Sequence, residues 1–155
     1  MKTLIRIQHE DFNINEEYQA LLQRSRNTGA VVAFSGLVRD RDTDTPLSHL
    51  FLEHFPEVTE AEIARIADSA FNRWPLTACT IIHRVGMLAA EEQIVLVLVA
   101  SEHRKAAFAA AEYLMDYLKT EAPFWKQEHF SDGRSHWVEA KTTDMQAAQS
   151  WKKAQ

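Results

Sequence analysis

Residues 77–100 read TACTIIHRVGMLAAEEQIVLVLVA, and this stretch decides the fold class. Two apolar, β-branched runs, Thr77–Val85 and Gln93–Ala100, are separated by Gly86 and a short acidic turn. Such runs are typical of buried strands, and strands that follow one another so closely pair antiparallel. The stretch therefore predicts two neighbouring strands of a mainly antiparallel sheet.

Further strands and helices are predicted on both sides of this stretch. The strands are Thr3–Ile7, Ala30–Val38, Leu47–Phe55 and Trp137–Ala140. The first helix is capped by Asn15. The second begins at a Thr59/Glu62 capping box and ends at Trp74-Pro75. The third is capped by Ser101 and runs from about Glu102 to Lys119. The order β-α-β-β-α-β-β-α-β predicts an α+β fold with three helices. We expect one domain over residues 1–155, with a polar tail from about residue 142 that is prone to fraying.

The composition is that of a single globular domain, with 155 residues, 46% of them hydrophobic, and a net charge of −5. This balance argues against a protein whose whole surface grips nucleic acid or an anionic membrane. The negative charge comes wholly from residues 1–100, because residues 101–155 are neutral. The distribution leaves room for a compact pocket that binds an anion.

The lone cysteine, Cys79, excludes an internal disulfide and an all-cysteine metal site. It lies in an apolar run, where an inert buried thiol is the favoured reading. The longest apolar run, Ile94–Ala100, is far too short to cross a bilayer, and the first residues lack a secretory signal pattern. We expect a cytoplasmic protein with no metal and no cofactor.

Three segments carry residues suited to anion or amine chemistry. Ser101–Arg104 places cations at the start of a helix, which the helix dipole disfavours unless an anion binds there. A basic turn that is simply solvated is an equal alternative to an anion site. Lys119 and Lys126 bracket a Pro-Phe-Trp turn, where apolar surface and a second cation lower the pKa of an amine. A plain helix-end charge is the alternative for Lys119. Arg39 ends a strand beside a loop and is a weak signal alone.

Helix length limits how these segments combine. His103 and Lys119 are 16 residues apart on one predicted helix, which is about 24 Å along its axis. A small substrate does not reach both ends. Either the two ends serve different sites or a second copy of the chain supplies one of them, and we favour a site that two copies build together across a homodimer.

The same segments resemble the large, catalytic subunit of molybdopterin synthase. The motifs, in order, are F-x-G-x-V-R at Phe34–Arg39, L-E-H-F-P at Leu52–Pro56, R-W-P at Arg73–Pro75, H-R-V-G at His83–Gly86, S-x-H-R at Ser101–Arg104 and M-D-Y-L-K-T-x-A-P-F-W-K-x-E at Met115–Glu128. The match extends from about residue 30 to residue 140, and the last motif is highly specific.

The resemblance implies an α/β-hammerhead type of α+β fold and a homodimer within a heterotetramer. A small ubiquitin-like sulfur-carrier subunit would bind at each end and insert its C-terminal Gly-Gly thiocarboxylate. Sulfur would pass in two rounds to cyclic pyranopterin monophosphate (precursor Z), forming the dithiolene of molybdopterin. Because the sulfur arrives on the carrier and molybdenum is inserted later, the chain would need neither a reactive cysteine nor a metal site.

The resemblance also implies roles for individual residues. Lys119 would be the catalytic lysine beside the thiocarboxylate, and Lys126 a second cation. The pterin pocket and phosphate clamp would comprise Leu37, Val38, Arg39, His103, Arg104, Lys126, Gln127 and Glu128, with His103 and Arg104 supplied by the other subunit. Lys141 stands where the family often has arginine, which puts a role for it in anion binding in doubt.

Two other kinds of function compete with this interpretation. A non-catalytic adaptor would bind a ubiquitin-like tail in the same groove without forming product, but the intact K-T-x-A-P-F-W-K motif argues against it. An RNA-binding module would need a basic face with exposed aromatic residues, and the net charge of −5 makes that remote.

Overall fold

The computed structural model describes residues 2–40, 45–138 and 142–153. Within these residues the chain forms eight strands and four helices, so the expected α+β class is confirmed and the expected three helices are one too few. The strands are β1 (Thr3–Gln8), β2 (Ala30–Leu37), β3 (Leu47–His54), β4 (Leu76–Arg84), β5 (Gly86–Ala89), β6 (Gln93–Ser101), β7 (Phe124–Phe130) and β8 (Ser135–Trp137). The helices are α1 (Ile14–Arg24), α2 (Val58–Arg73), α3 (Arg104–Thr120) and α4 (Thr142–Lys153).

The first sheet has the strand order β1-β4-β6-β2 and holds the core. β1 pairs parallel with β4, and the other two pairings are antiparallel. Both faces are covered, because Cys79, Ile81 and Val97 pack toward α2 and α3 while Ile82 and Leu96 pack toward α1. A strand buried on both faces has no polar side, which explains why the deciding stretch is almost continuously apolar.

The second sheet has the order β5-β3-β7-β8 and is antiparallel throughout. The sequence predicted one sheet and gave no strand at β5 or β7; this was wrong. β7 follows Pro123 and a Phe-Trp pair that suggested a turn, but the segment instead pairs with β3 from His54↔Phe124 to Leu47↔Phe130. Long-range pairing therefore overrides the local turn signal.

The first two helices begin at residues other than those predicted. α1 is capped by Asn13 rather than Asn15, and the Asn13 side chain accepts a hydrogen bond from a first-turn N–H. The capping box of α2 is formed by Glu57 rather than Thr59. The Thr59 hydroxyl instead donates to the carbonyl of Pro123 at 2.8 Å, which ties α2 to the start of β7.

The longest described helix, α3, has His103 as its N-cap residue rather than Ser101. The Ser101 hydroxyl donates to the carbonyl of Pro75 at 3.0 Å, so its hydrogen bond joins β6 to the start of β4 instead of capping the helix. α3 has no acidic residue in its first turn. Within the described part of the chain, no helix combines the length and the apolar character needed to cross a bilayer.

The C-terminal tail is not frayed as predicted, because residues 142–153 form α4 and pack on α3. The Trp151 indole N–H donates to Asp116 at 2.6 Å, and its ring meets Tyr113 edge-on at 5.5 Å. The Arg73 guanidinium lies 5.5 Å from the Trp151 ring. Ala148, one turn earlier, is only 5% exposed. Ala148 and Trp151 are three residues apart on α4, so they lie on the same face of the helix, which packs on α3. The polar composition of the segment conceals this face in the sequence.

Replacing Trp151 with Ala should release α4 from α3. The change removes the indole hydrogen bond and the ring contacts of a partly buried aromatic residue, which should lower the free energy of unfolding by about 2 kcal/mol. Urea unfolding followed by circular dichroism measures the effect, with Met145→Ala as the control, since Met145 on the same helix is 53% exposed. Equal stability of the two variants would contradict the assigned packing of α4.

Candidate active site

A cavity of about 350 Å³ lies where the C-terminal end of α3 meets both sheets. Its walls come from β2, β4, β6, α3, β7, α4 and the connection from α3 to β7. Phe34, Met115 and Phe124 supply apolar wall, and Lys119 and Lys126 supply positive charge. The cavity combines an apolar lining with a few polar groups, as small-molecule and peptide-tail sites do.

The floor of the cavity is one row of residues across three neighbouring strands. In the register of the first sheet, Val95 of β6 pairs with His83 of β4 on one side and with Gly36 of β2 on the other. A Cβ atom on Gly36 would stand 2.7 Å from the Val95 Cγ1 atom, so this position has no space for a larger side chain. Gly36 itself lines the cavity.

The two lysines reach the cavity from different elements. Lys119 is the penultimate residue of α3, where the negative end of the helix dipole favours a cation, and its side chain is exposed. Lys126 lies in β7, where it pairs with the buried Leu52 of β3, and its side chain is half-buried. The structure therefore brings together the two lysines that the sequence places on either side of the Pro-Phe-Trp segment.

His83 lies beside both lysines and is buried. Its Nδ1 donates to the carbonyl of Arg84 at 2.8 Å, and its ring stacks on Phe124 with 3.9 Å between centroids. Burial lowers the pKa of the imidazole to about 4; the bond to Arg84 opposes this shift, and the positive charges of Lys126 and Lys119 add to it. His83 is therefore neutral at neutral pH.

Of the three residues predicted at the end of β2 and just after it, one contributes to the cavity wall. Leu37 lines the cavity, whereas Val38 is buried in the core below the second sheet. The Val38 N–H donates to the backbone carbonyl of Glu92 at 2.9 Å, and the Val38 carbonyl accepts from the backbone N–H of Glu91 at 2.7 Å. Arg39 is exposed just beyond the strand.

Gln127 and Glu128 lie in β7 next to Lys126, but neither lines the cavity. The Glu128 carboxylate lies 3.0 Å from His136 Nε2 of β8, and the Gln127 amide oxygen lies 3.2 Å from His129 Nε2. Because side chains alternate along a strand, Glu128 shares a face of the sheet with Lys126 and Gln127 faces the other side.

His103 and Arg104 lie at the opposite end of α3 from Lys119, and both are exposed. The 16 residues from His103 to Lys119 correspond to about 24 Å of helix, so one chain does not bring them to the cavity. Whether a second copy does so stays a prediction. Lys141 lies outside the described residues.

Sequence reasoning missed two titratable residues that line the cavity, His83 and Asp144. His83 belongs to the H-R-V-G motif. It lies on the same face of β4 as Cys79 and Ile81, because alternate residues of a strand share a face, and this spacing was the signal that it faces α3. Asp144 comes from α4, which was interpreted as a tail, so no signal pointed to it.

Cys79 is fully buried, and burial raises the pKa of its thiol to about 12. In the described parts of the chain, no group of three His, Cys, Asp or Glu side chains is placed to hold a metal ion.

The model of the MoaE protein family matches residues 7–121 of this chain. The chain belongs to the MoaE family. A relative from Mesorhizobium japonicum named molybdopterin synthase catalytic subunit is 56% identical over 149 residues, which cover 96% of this chain and 92% of the relative. The protein of the same name from Escherichia coli is 47% identical over 150 residues, covering 97% and 99%.

A solved structure supports the same assignment. The molybdopterin biosynthesis MoaE protein from Burkholderia ambifaria superposes with a TM-score of 0.83 at 45% identity, covering 97% of this chain and 98% of that one. The resemblance to the catalytic subunit of molybdopterin synthase, and with it the prediction of an enzyme and of the fold class, is confirmed. The roles of individual residues in this MoaE chain stay predictions.

The buried neutral His83 should make the stability of this MoaE chain depend on pH. In the unfolded chain its pKa is about 6.5, so between about pH 6.5 and pH 4 the unfolded state binds a proton that the native state does not. The free energy of unfolding should therefore fall as the pH falls through this window, by about 3 kcal/mol from this residue. Urea unfolding across the window should show a shallower loss for His83→Phe than for the wild type. Parallel curves would contradict the assigned burial.

Proposed function

We propose that this chain is the sulfur-transferring subunit of molybdopterin synthase and that the cavity is its active site. It takes sulfur from the C-terminal thiocarboxylate of a small ubiquitin-like carrier and delivers it to cyclic pyranopterin monophosphate. The observation that carries the proposal is the meeting of Lys119 and Lys126 in one cavity of a MoaE-family chain. Both reactants are anions, and the two ammonium groups supply the complementary charge.

The carrier tail enters over the floor of the cavity. A Gly-Gly tail is narrow and extended, and Gly36 keeps the floor low where a side chain would collide with Val95. The apolar walls formed by Phe34 and Met115 exclude water around the thiocarboxylate, which strengthens its attraction to the lysines.

The chemistry is a transfer of sulfur between two carbon atoms. The thiocarboxylate sulfur attacks a carbon of the pterin side chain, and a C–S bond forms as a C–O bond at that carbon breaks. In one of the two rounds the displaced oxygen stays on the phosphate, whose ring opens, and in the other it leaves as water. Water then cleaves the bond between that sulfur and the carrier's acyl carbon, so the carrier leaves as a carboxylate. Lys119 acts as a base or stabilises the negative charge that develops, and Lys126 supplies a second cation. Two rounds place the two sulfur atoms of the dithiolene.

The phosphate is held by Arg39, two residues after the cavity-lining Leu37, and by His103 and Arg104, which one chain keeps away from the cavity. Arg39, His103 and Arg104 are donors suited to a phosphate ester, and the start of α3 adds free backbone N–H groups. A homodimer within a heterotetramer with two carriers places the start of one α3 near the partner's lysines. The buried protonated thiol of Cys79 takes no part, which is consistent with a cytoplasmic enzyme whose sulfur arrives on another subunit.

A non-catalytic adaptor is the alternative within the same cavity. An adaptor would need a groove for the tail but no pair of cations beside it. The presence of both lysines on the cavity wall favours the enzyme.

Replacing Lys119 with Ala should lower the rate of molybdopterin formation by at least about 100-fold, because the charge beside the reacting thiocarboxylate is lost. The assay mixes the purified chain with thiocarboxylated carrier and the pterin phosphate. Lys2→Ala is the matched control, since Lys2 is exposed and does not line the cavity. An undiminished rate for Lys119→Ala would contradict the assignment and favour the adaptor.

A composite site predicts that two inactive variants restore each other's activity. In a dimer that joins a Lys119→Ala chain to an Arg104→Ala chain, one of the two sites receives both substitutions and the other receives neither. Co-expression of the two should therefore recover up to about a quarter of wild-type activity, since about half of randomly formed dimers are mixed. The same assay on the co-purified chains measures this. No recovery above either variant alone would show that each chain builds its own site.

A further inference from the structure

The imidazole of His83 is held at one ring nitrogen and on one ring face. Its Nδ1 lies 2.8 Å from the carbonyl oxygen of Arg84, and a carbonyl only accepts, so Nδ1 carries the hydrogen. Phe124 covers one ring face with 20° between the planes. In the neutral ring Nε2 then has a lone pair, and it is the nitrogen left for a group in the cavity that His83 lines.

The groups that face this ring are mostly hydrogen-bond donors. Lys126 of β7 exerts the largest electrostatic effect of a charged side chain on His83, followed by Lys119 of α3 and His54 of β3. His54 is engaged with Glu60, 3.3 Å from its Nε2. A neutral imidazole can accept a hydrogen bond from an ammonium group, whereas a charged imidazole would be repelled by both lysines.

We propose that His83 is a positioning residue whose Nε2 accepts a hydrogen bond from the Lys126 ammonium group and holds it toward the bound carrier tail. Lysine has a flexible stem that adopts many rotamers, and a fixed acceptor on a rigid strand selects among them. Lys126 is the partner rather than Lys119 because it is half-buried and acts most strongly on the ring, while Lys119 is exposed at the helix end. The inference rests on the proposed sulfur transfer.

Two amide substitutions test the contributions of the two ring nitrogens separately. His83→Asn places an amide near Nδ1 and keeps the bond to Arg84, but it leaves no acceptor in the cavity. His83→Gln places an amide oxygen near Nε2 and keeps the acceptor. The assembled enzyme is assayed with thiocarboxylated carrier and pterin phosphate, and thermal unfolding of each variant is measured beside it.

A positioning role predicts that His83→Asn loses about 10-fold or more in kcat, with the KM for the pterin within about 2-fold of wild type. His83→Gln should keep its kcat within about 3-fold. The reverse order, equal loss in both variants, or no loss in either would overturn the proposal. A wild-type enzyme that forms no product would instead contradict the proposed function itself.

A measurement on the wild-type chain tests the proposal without any variant. Nitrogen-15 NMR of labelled histidine at neutral pH should show His83 as the tautomer with hydrogen on Nδ1. The tautomer with hydrogen on Nε2 could not accept from Lys126 and would overturn the proposal whatever the variants do.

Discussion

The antiparallel pairing of β4 with β6 is the constraint on which the rest of the molecule depends. Both strands are buried on both faces, so their register decides which side chains face α3 and which face α1. That register sets His83 beside Val95, and the pairing of β6 with β2 adds Gly36 to the same row. A shift of one residue in this pairing register would turn the residues of the floor toward α1 and remove the cavity.

The electrostatics of the site follow from this packing. α3 leaves β6 and returns along the sheet, so its C-terminal end brings Lys119 over the floor, and β7 then brings Lys126 from the second sheet. The apolar core that buries His83 lowers its pKa and keeps it neutral. Beside the Asp144 carboxylate, a site for two anionic reactants thereby holds two cations and one neutral acceptor rather than three competing positive charges.

The sequence was sufficient for the elements that carry strong local patterns. The deciding stretch gave β4 and β6, and the Lys119–Lys126 pair was located by its spacing around Pro123. It was insufficient where long-range contacts decide, because β7 forms by pairing with β3 and β8, and α4 forms through the contacts of Trp151 with α3. Asp144 enters the cavity on α4, which no local pattern reveals, whereas the position of His83 along β4, on the same face as Cys79 and Ile81, was readable from the strand alternation.

The central claim is that sulfur passes from the carrier's thiocarboxylate to the pterin phosphate in this cavity. The most direct test uses the wild-type chain, carrier thiocarboxylated with a heavy sulfur isotope, and the pterin phosphate, followed by mass spectrometry of both products. We expect the pterin to gain two heavy sulfur atoms while two carriers per pterin become ordinary carboxylates. Heavy sulfur that stays on the carrier, or that appears on Cys79 of this chain, would contradict it.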